Sequence, residues 1–218
     1  MKKLFVLLFL LSSVSLFAQH PIDRNWETDD FARAMDLFNK EKFTPAQKIF
    51  DRLATSPNAS VAPSAQYYAA VCAQQLNNDD AETRLAAFLQ NCPQSSHVNM
   101  AHFYLGNFYY GRKDYPKAQN QYAQVDGKDV APSHHAELDF KNGYCLFQAG
   151  LNAQAKKCFA QVVGGKSKYR NAALYYYAHI QYMEGDYAQA LKNFQKLQND
   201  RKFAKIVPSY IARIYYYL

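Results

Sequence analysis

The chain has 218 residues, of which 49% are hydrophobic and 20% are charged. This composition can bury a core and is not that of a disordered chain. The formal net charge of +7 comes from lysines and arginines scattered along the sequence. Nucleic-acid binding needs a clustered basic stripe, so no nucleic-acid partner is predicted.

The first eighteen residues read MKKLFVLLFLLSSVSLFA, with two lysines and then an apolar run from Leu4 to Leu11. This order is typical of a secretory signal peptide, and we predict that residues 1–18 are removed after Ala18. The competing interpretation, a membrane anchor, needs ~20 apolar residues, so no stable membrane insertion is expected after cleavage. We expect an exported protein, periplasmic or outer-membrane-associated in a Gram-negative bacterium.

A short pattern recurs through the rest of the chain: an alanine followed four residues later by a bulky side chain. The spacings between successive alanines are 35, 37, 37 and 35 residues. The five pairs are Ala46 with Phe50, Ala81 with Leu85, Ala118 with Tyr122, Ala155 with Phe159 and Ala190 with Phe194. A fixed period of this length indicates an array of structural repeats.

A second column of small residues lies twelve positions before each of these alanines. Its members are Ala34, Ala69, Gly106, Gly143 and Ala178, and the next one along the chain is Ala212. Residues four apart share one face of a helix, so each unit predicts two antiparallel helices that cross closely at the small residues, with the bulky side chain beside the crossing. Turn-forming residues such as Gly185-Asp186 separate the two helices. No unit alternates with period two, so no strands are predicted.

This pattern resembles the tetratricopeptide repeat family. The resemblance is carried by YLGNFYYGRKDYPKAQNQY at 104–122 and YAHIQYMEGDYAQALKNF at 177–194, and it covers roughly residues 23–218. It implies an all-α fold, an α-solenoid of about five and a half helix pairs in a right-handed superhelix. It also implies a concave groove that binds peptides or protein surfaces, without catalysis and without a cofactor.

In this family the first helix of each pair lines the groove. Positions three before, one after and four after the small column therefore predict the surface that binds a partner. These candidates are aromatic in most units. The predicted groove residues are Phe103, Asn107, Tyr110, Phe140, Tyr144, Phe147, Tyr175, His179, Tyr182 and Tyr216. Any single ring could instead pack between adjacent repeats. The Lys and Asn set with which some relatives clamp a terminal carboxylate is replaced by aromatics, so no such clamp is predicted.

The sixth unit has a first helix and nothing after it. A solenoid end needs a cap, because each repeat buries its face only against a neighbour. We expect Ile211, Ile214, Tyr215 and Leu218 to be partly bare, and residues 19–218 to form a repeat domain truncated at its C-terminal end. The alternative is that the last helix is itself the cap.

Other chemical signals are weak. Cys72, Cys92, Cys145 and Cys158 form no Cys-x-x-Cys pair, so neither zinc nor redox chemistry is predicted, although export permits disulfides such as Cys145 with Cys158. His134 and His135 are placed in an inter-repeat loop, without a third metal ligand. We therefore expect a non-catalytic scaffold for a protein or peptide partner. The alternatives are a carbohydrate-binding envelope protein, or the docking arm of a longer chain.

Overall fold

The computed structural model describes residues 25–218, which fold into eleven α-helices and no strand. The predicted signal peptide, residues 1–18, lies outside this range. The helices are α1 Asn25–Asn39, α2 Phe43–Ala54, α3 Ala62–Gln75, α4 Ala81–Asn91, α5 Val98–Gly111, α6 Tyr115–Tyr122, α7 Pro132–Gln148, α8 Asn152–Gly164, α9 Arg170–Met183, α10 Tyr187–Gln195 and α11 Val207–Tyr217. A short 3₁₀ turn, Gly127–Asp129, precedes α7.

Each helix packs mainly against the helices before and after it in the chain. The helices pair as α1–α2, α3–α4, α5–α6, α7–α8 and α9–α10, and α11 begins a sixth pair. This is the predicted solenoid of about five and a half repeats. Its core is correspondingly a series of buried clusters along the array, each centred on one or two repeats.

Both columns of small residues lie at the predicted helix crossings. All five alanines of the second helices have no exposed surface, and the bulky residue four positions later is at most 2% exposed in every repeat. The small residues of the first helices are buried as well in the five complete repeats, with Ala34 and Ala178 fully covered, whereas Ala212 of α11 is exposed. The predicted register is therefore confirmed for the five complete repeats.

The third and fourth repeats have the tightest crossings, because the first helix carries a glycine there. A Cβ atom added to Gly106 would lie 2.5 Å from Cε1 of Tyr122, and one added to Gly143 would lie 2.9 Å from Cβ of Cys158. Both distances are too short for real contacts. The absence of a side chain at Gly106 and Gly143 is what allows the two helices to approach.

The turn between the two helices of each repeat contains one residue in the left-handed region. These residues are Glu41, Asn77, Lys113, Gly150 and Gly185, with φ between 56° and 81°. The side chain of Asp114 or Asp186 then caps the next helix by accepting a hydrogen bond from the backbone N–H of Lys117 or Gln189. The turn predicted at Gly185-Asp186 lies at one of these positions.

A polar clasp joins neighbouring repeats at the start of alternate first helices, seven residues before the small column. Glu27 accepts hydrogen bonds from Ser56 Oγ and from Asn58 Nδ2, the latter at 2.7 Å. Asn99 Nδ2 donates to Asp129 at 2.8 Å, and Asn171 Nδ2 donates to Asp200 at 2.7 Å. Each clasp ties the first turn of a first helix to the loop that leads to the next repeat.

The last helix buries one side only. Tyr215 and Leu218 are 60% and 69% exposed, as predicted for a helix without a partner, and Tyr216 is 88% exposed. The expectation that Ile214 is bare was wrong, because Ile214 is fully buried against the preceding repeat. The side of α11 that contacts α10 is covered, and the side that a second helix covers in the other repeats is open.

Two further expectations concern individual side chains. The placement of His134 and His135 in a loop was wrong, because both belong to the first turn of α7, which begins at Pro132. The four cysteines are free thiols in this structure. Burial raises the pKa of Cys145 to about 12 and that of Cys158 to about 11, which keeps these two thiols protonated.

Candidate binding groove

The first helices form the inner side of the array. Beyond its neighbours in sequence, α5 also contacts the first helices on either side, α3 and α7. Elements on the concave side of a superhelix lie closer together than those on the convex side. The surface of α5, α7, α9 and α11 is therefore the candidate groove.

Two of the predicted groove residues lie beneath this surface. Phe103 is 1% exposed, and its ring is covered by His134 at a centroid distance of 5.2 Å. Phe140 is 8% exposed and stacks on Tyr169, also at 5.2 Å. Both occupy the position three before the small column, where a ring at the start of the next first helix covers them. Phe103 and Phe140 therefore support the groove from within.

Asn107 also lies inside, with 8% of its surface exposed. Its Oδ1 accepts hydrogen bonds from the Tyr122 hydroxyl at 2.8 Å and from Lys141 Nζ at 3.0 Å. Its Nδ2 donates to Glu137 at 3.3 Å, and Lys141 pairs with Glu137 at 2.5 Å. Through these hydrogen bonds to Glu137 and Lys141, Asn107 joins the third repeat to the fourth.

Five of the other aromatic candidates belong to a continuous row of rings that we call the aromatic ladder. Successive ring centroids lie 5.2–6.3 Å apart, mostly in edge-to-face or tilted contacts that suit aromatic pairs. The ladder consists, in order of contact, of Tyr110, Tyr144, Tyr176, Phe147, His179, Tyr210, Tyr182 and Tyr217. It runs from the third repeat to the last helix.

The ladder is a partly open surface with fixed rings. Its rings are half-buried except Tyr217, which is 55% exposed. Burial raises the pKa of Tyr110, and burial with the neighbouring Tyr144 raises the pKa of Tyr176 to about 12. The hydroxyls of Tyr110 and Tyr176 therefore stay protonated and uncharged at neutral pH. Such rings offer rigid, amphipathic contact area that loses little entropy on binding.

Three predicted residues lie at the C-terminal end of the groove. The pKa of His179 is lowered by burial, so its ring is neutral at neutral pH. Tyr175 is half-buried under Phe203, with ring centroids 5.0 Å apart. Tyr216 is the most exposed of the predicted residues and contacts Tyr217 at 5.9 Å. The second repeat has Ala70 and Ala73 at the corresponding positions, so no ladder forms there.

Tyr176, Tyr210 and Tyr217 belong to the ladder but were not among the predicted residues. Tyr176 and Tyr210 lie two positions before the small column. Tyr67 and Tyr104 occupy the same position in earlier repeats. This recurrence was a signal that could have identified them. Tyr217 lacks a counterpart of this kind: it is the last residue of α11 and stacks on Tyr187 at 4.8 Å.

The described helices give no indication of a metal centre or a membrane span. Within residues 25–218, no group of three or more His, Cys, Asp or Glu side chains could hold a metal ion. In the same range, no helix combines the length and the apolar character needed to cross a bilayer. The aromatic ladder is the feature of this fold that is most suited to binding.

Known proteins share this architecture. The sequence profile described as tetratricopeptide repeat matches residues 64–95 and 172–201. The structure of MamA from strain AMB-1 superimposes with a TM-score of 0.62 at 15% identity, covering 84% of this chain and 99% of that one. PilF of Pseudomonas aeruginosa superimposes with a TM-score of 0.59 at 17% identity, covering 86% and 88%. No curated protein matches the sequence.

The paired helices, the locked small columns and the inner groove define an α-solenoid of the kind that serves as a scaffold for protein–protein interaction. The two profile matches fall on the second and fifth repeats of the array. These two repeats match the tetratricopeptide repeat profile, and the array as a whole has a tetratricopeptide-like solenoid fold.

Proposed function

We propose that this protein is an exported, non-catalytic scaffold of the cell envelope that binds a protein partner along the aromatic ladder. The observation that carries the proposal is the continuity of the ladder. Eight rings in mutual contact extend over the third, fourth and fifth repeats and the last helix. Aromatic side chains dominate the energetics of protein interfaces, because they bury a large area at little entropic cost.

Export is supported by the pattern of residues 1–18. Two lysines, a short apolar run and Ala18 have the order of a cleavable signal. The mature chain then begins at Gln19 and resides in the periplasm or at the outer membrane of a Gram-negative cell. N-terminal sequencing of protein from an envelope fraction tests this part, and retention of Met1 in the cytoplasm would contradict it.

Partner binding is tested by capture from an envelope extract on the immobilised protein. The groove variant combines Tyr182→Ala with Tyr217→Ala, and the control combines Lys157→Ala with Lys192→Ala on the second helices. Loss of an aromatic anchor costs about 2 kcal/mol, or about 30-fold in affinity. We expect the groove variant to lose the partner and the control to keep it. Equal capture by both variants, with unchanged circular dichroism, would refute a role for the ladder.

A glycan is the second candidate for the groove, because rings can stack on sugars. Tyr187 and Tyr217 are parallel, at 4.8 Å and 8°. Adding soluble envelope glycan to the capture experiment separates the two candidates. Release of the partner protein by glycan would favour the carbohydrate, and unchanged capture favours the protein.

A further inference from the structure

A cavity of about 500 Å³ lies between the loop before α9 and the loop before α11. Its rim carries five exposed cationic side chains, and we call it the basic pocket. They are Lys166, Lys168, Arg170, Arg201 and Lys202. Asp200 is the acidic residue that lines this cavity.

Asp200 offsets only one of these five positive charges. Asn171 Nδ2 donates to Asp200 at 2.7 Å, and the backbone N–H of Lys202 donates at 2.8 Å. These hydrogen bonds lower the pKa of Asp200 and hold its carboxylate in the clasp. Within residues 25–218, none of the five cations of the basic pocket forms an ion pair with a carboxylate.

Arginines in the first repeats are arranged differently. Arg84 bridges Asp51 and Asp80, each at 2.6 Å, and Arg112 pairs with Asp79 at 2.7 Å. Residues 25–130 hold 10 basic and 12 acidic side chains, whereas residues 131–218 hold 12 basic and 5 acidic ones. Positive charge is thus concentrated in the C-terminal repeats, where intramolecular partners are scarce.

The fold itself does not require this charge. The third repeat has the same clasp, Asn99 to Asp129, at the same distance of seven residues before the small column. Its loop carries Asp126, Lys128 and Asp129, with no basic excess. Two equivalent loops with the same clasp therefore differ in charge. Clustered cations repel one another, so the five of the basic pocket lower stability unless an anion binds there.

The basic pocket is continuous with the groove. Phe203 lines the pocket and stacks on Tyr175, with centroids 5.0 Å apart and an interplanar angle of 16°. Tyr175 in turn contacts Tyr176 and His179 of the aromatic ladder, at 5.2 and 6.2 Å. A single ligand can therefore occupy both surfaces.

We propose that the basic pocket binds acidic side chains of the polypeptide whose apolar side chains lie on the aromatic ladder. This inference rests on the proposed function and specifies the partner: a segment with aspartates or glutamates next to apolar residues. Carboxylates satisfy lysine and arginine by charge-assisted hydrogen bonds. They also exclude basic partners, which the unpaired cations repel.

Two labelled peptides test this directly on the wild-type protein: three glutamates followed by Leu-Phe-Leu, and three glutamines followed by Leu-Phe-Leu. We expect the acidic peptide to bind at least about 10-fold more tightly at low ionic strength. Its advantage shrinks in 0.5 M salt, where the screening length falls to a few ångströms. A triple variant of the pocket should reduce the affinity ratio of the acidic to the neutral peptide to less than about 3-fold. It combines Lys166→Gln, Lys168→Gln and Lys202→Gln. A control triple variant removes the same charge from second helices and should leave this affinity ratio unchanged. It combines Lys48→Gln, Lys157→Gln and Lys192→Gln.

Three results would overturn this inference: no measurable binding of the acidic peptide, equal binding of the two peptides, or equal effects of the two lysine triples. Binding to anionic phospholipid vesicles that depends on the same three lysines, without peptide binding, would assign the pocket to a phosphate headgroup instead. The envelope capture experiment distinguishes failure of the acidic specificity from failure of partner binding in the groove. If the pocket triple captures the partner as well as wild type does, the acidic specificity is wrong and the groove function stands.

Discussion

Replacement of Gly106 by alanine tests the packing on which the whole array depends. In an isolated helix this change is stabilising by about 1 kcal/mol. Here the new Cβ would lie 2.5 Å from Cε1 and 2.7 Å from Cδ1 of Tyr122. Tyr122 is 2% exposed, and its hydroxyl is fixed by a 2.8 Å hydrogen bond to Asn107, so the ring has little room to move.

Overpacking and the loss of a hydrogen bond lower the stability of Gly106→Ala, whereas the higher helix propensity of alanine raises it. Overpacking a buried site costs about 1–3 kcal/mol. Displacing the Tyr122 hydroxyl from Asn107 costs about 1 kcal/mol more. After the gain in helix propensity, we expect Gly106→Ala to lower the free energy of unfolding by about 1–3 kcal/mol. The melting temperature should fall by roughly 3–10 °C for a chain of this size.

Urea and thermal unfolding, followed by far-ultraviolet circular dichroism, measure the effect. Gly111→Ala is the matched control, because it lies on the same helix and its new Cβ meets no atom within 4 Å. Adding Tyr122→Phe to Gly106→Ala recreates the alanine–phenylalanine pairing of the first and fifth repeats and should recover part of the loss. If Gly106→Ala is as stable as Gly111→Ala, the close crossing of α5 and α6 is not what holds the repeat.

Three further predictions concern the turns, the clasps and the thiols. Gly185→Ala should lose about 1–2 kcal/mol in urea unfolding, because φ is +81° there, whereas Gly164→Ala should lose nothing. The pKa of Glu27 is lowered by hydrogen bonds from Ser56 and Asn58, so the clasp stabilises the fold above the unfolded pKa and is lost as pH falls. Glu27→Gln should therefore lower the melting temperature at neutral pH, and its effect should vanish only when the pH has fallen below the lowered pKa of Glu27. Burial raises the pKa of Cys158 to about 11, so Ellman's reagent should label this thiol slowly in the native protein and fast in urea. Recovery of disulfide-linked peptides after digestion without a reductant would contradict the free state of the four cysteines.

The helix pairs were predictable because their signal is periodic. A small residue that recurs every 35–37 positions indicates stacked helix pairs that cross closely at that residue. The burial of Ala46, Ala118 and Ala190 follows from this arrangement. The groove was predictable only in part, because the spacing of a residue from the small column does not show whether its ring is exposed or covered. Phe103 and Phe140 are hidden by His134 and Tyr169, which belong to the next repeat.

Part of the charge of the basic pocket was visible in the sequence as GGKSKYR, but the sequence did not show that these cations line a pocket. That stretch alone is three cations in a loop, which is ordinary for a solvated surface. Only the fold brings Arg201 and Lys202 next to it, and only the hydrogen bonds show that Asp200 is already engaged. Contacts between loops some thirty residues apart depend on the repeat geometry and not on local pattern.

Site-specific photo-crosslinking in living cells tests whether the partner lies along the aromatic ladder. Benzoyl-phenylalanine is placed at Phe147 or Tyr182 in the groove, and at Lys157 or Lys192 on the second helices. We expect the two groove positions to give one shared protein adduct and the control positions not to give it. Adducts confined to Lys157 and Lys192, or no protein adduct from either groove position, would show that the partner does not bind in the groove.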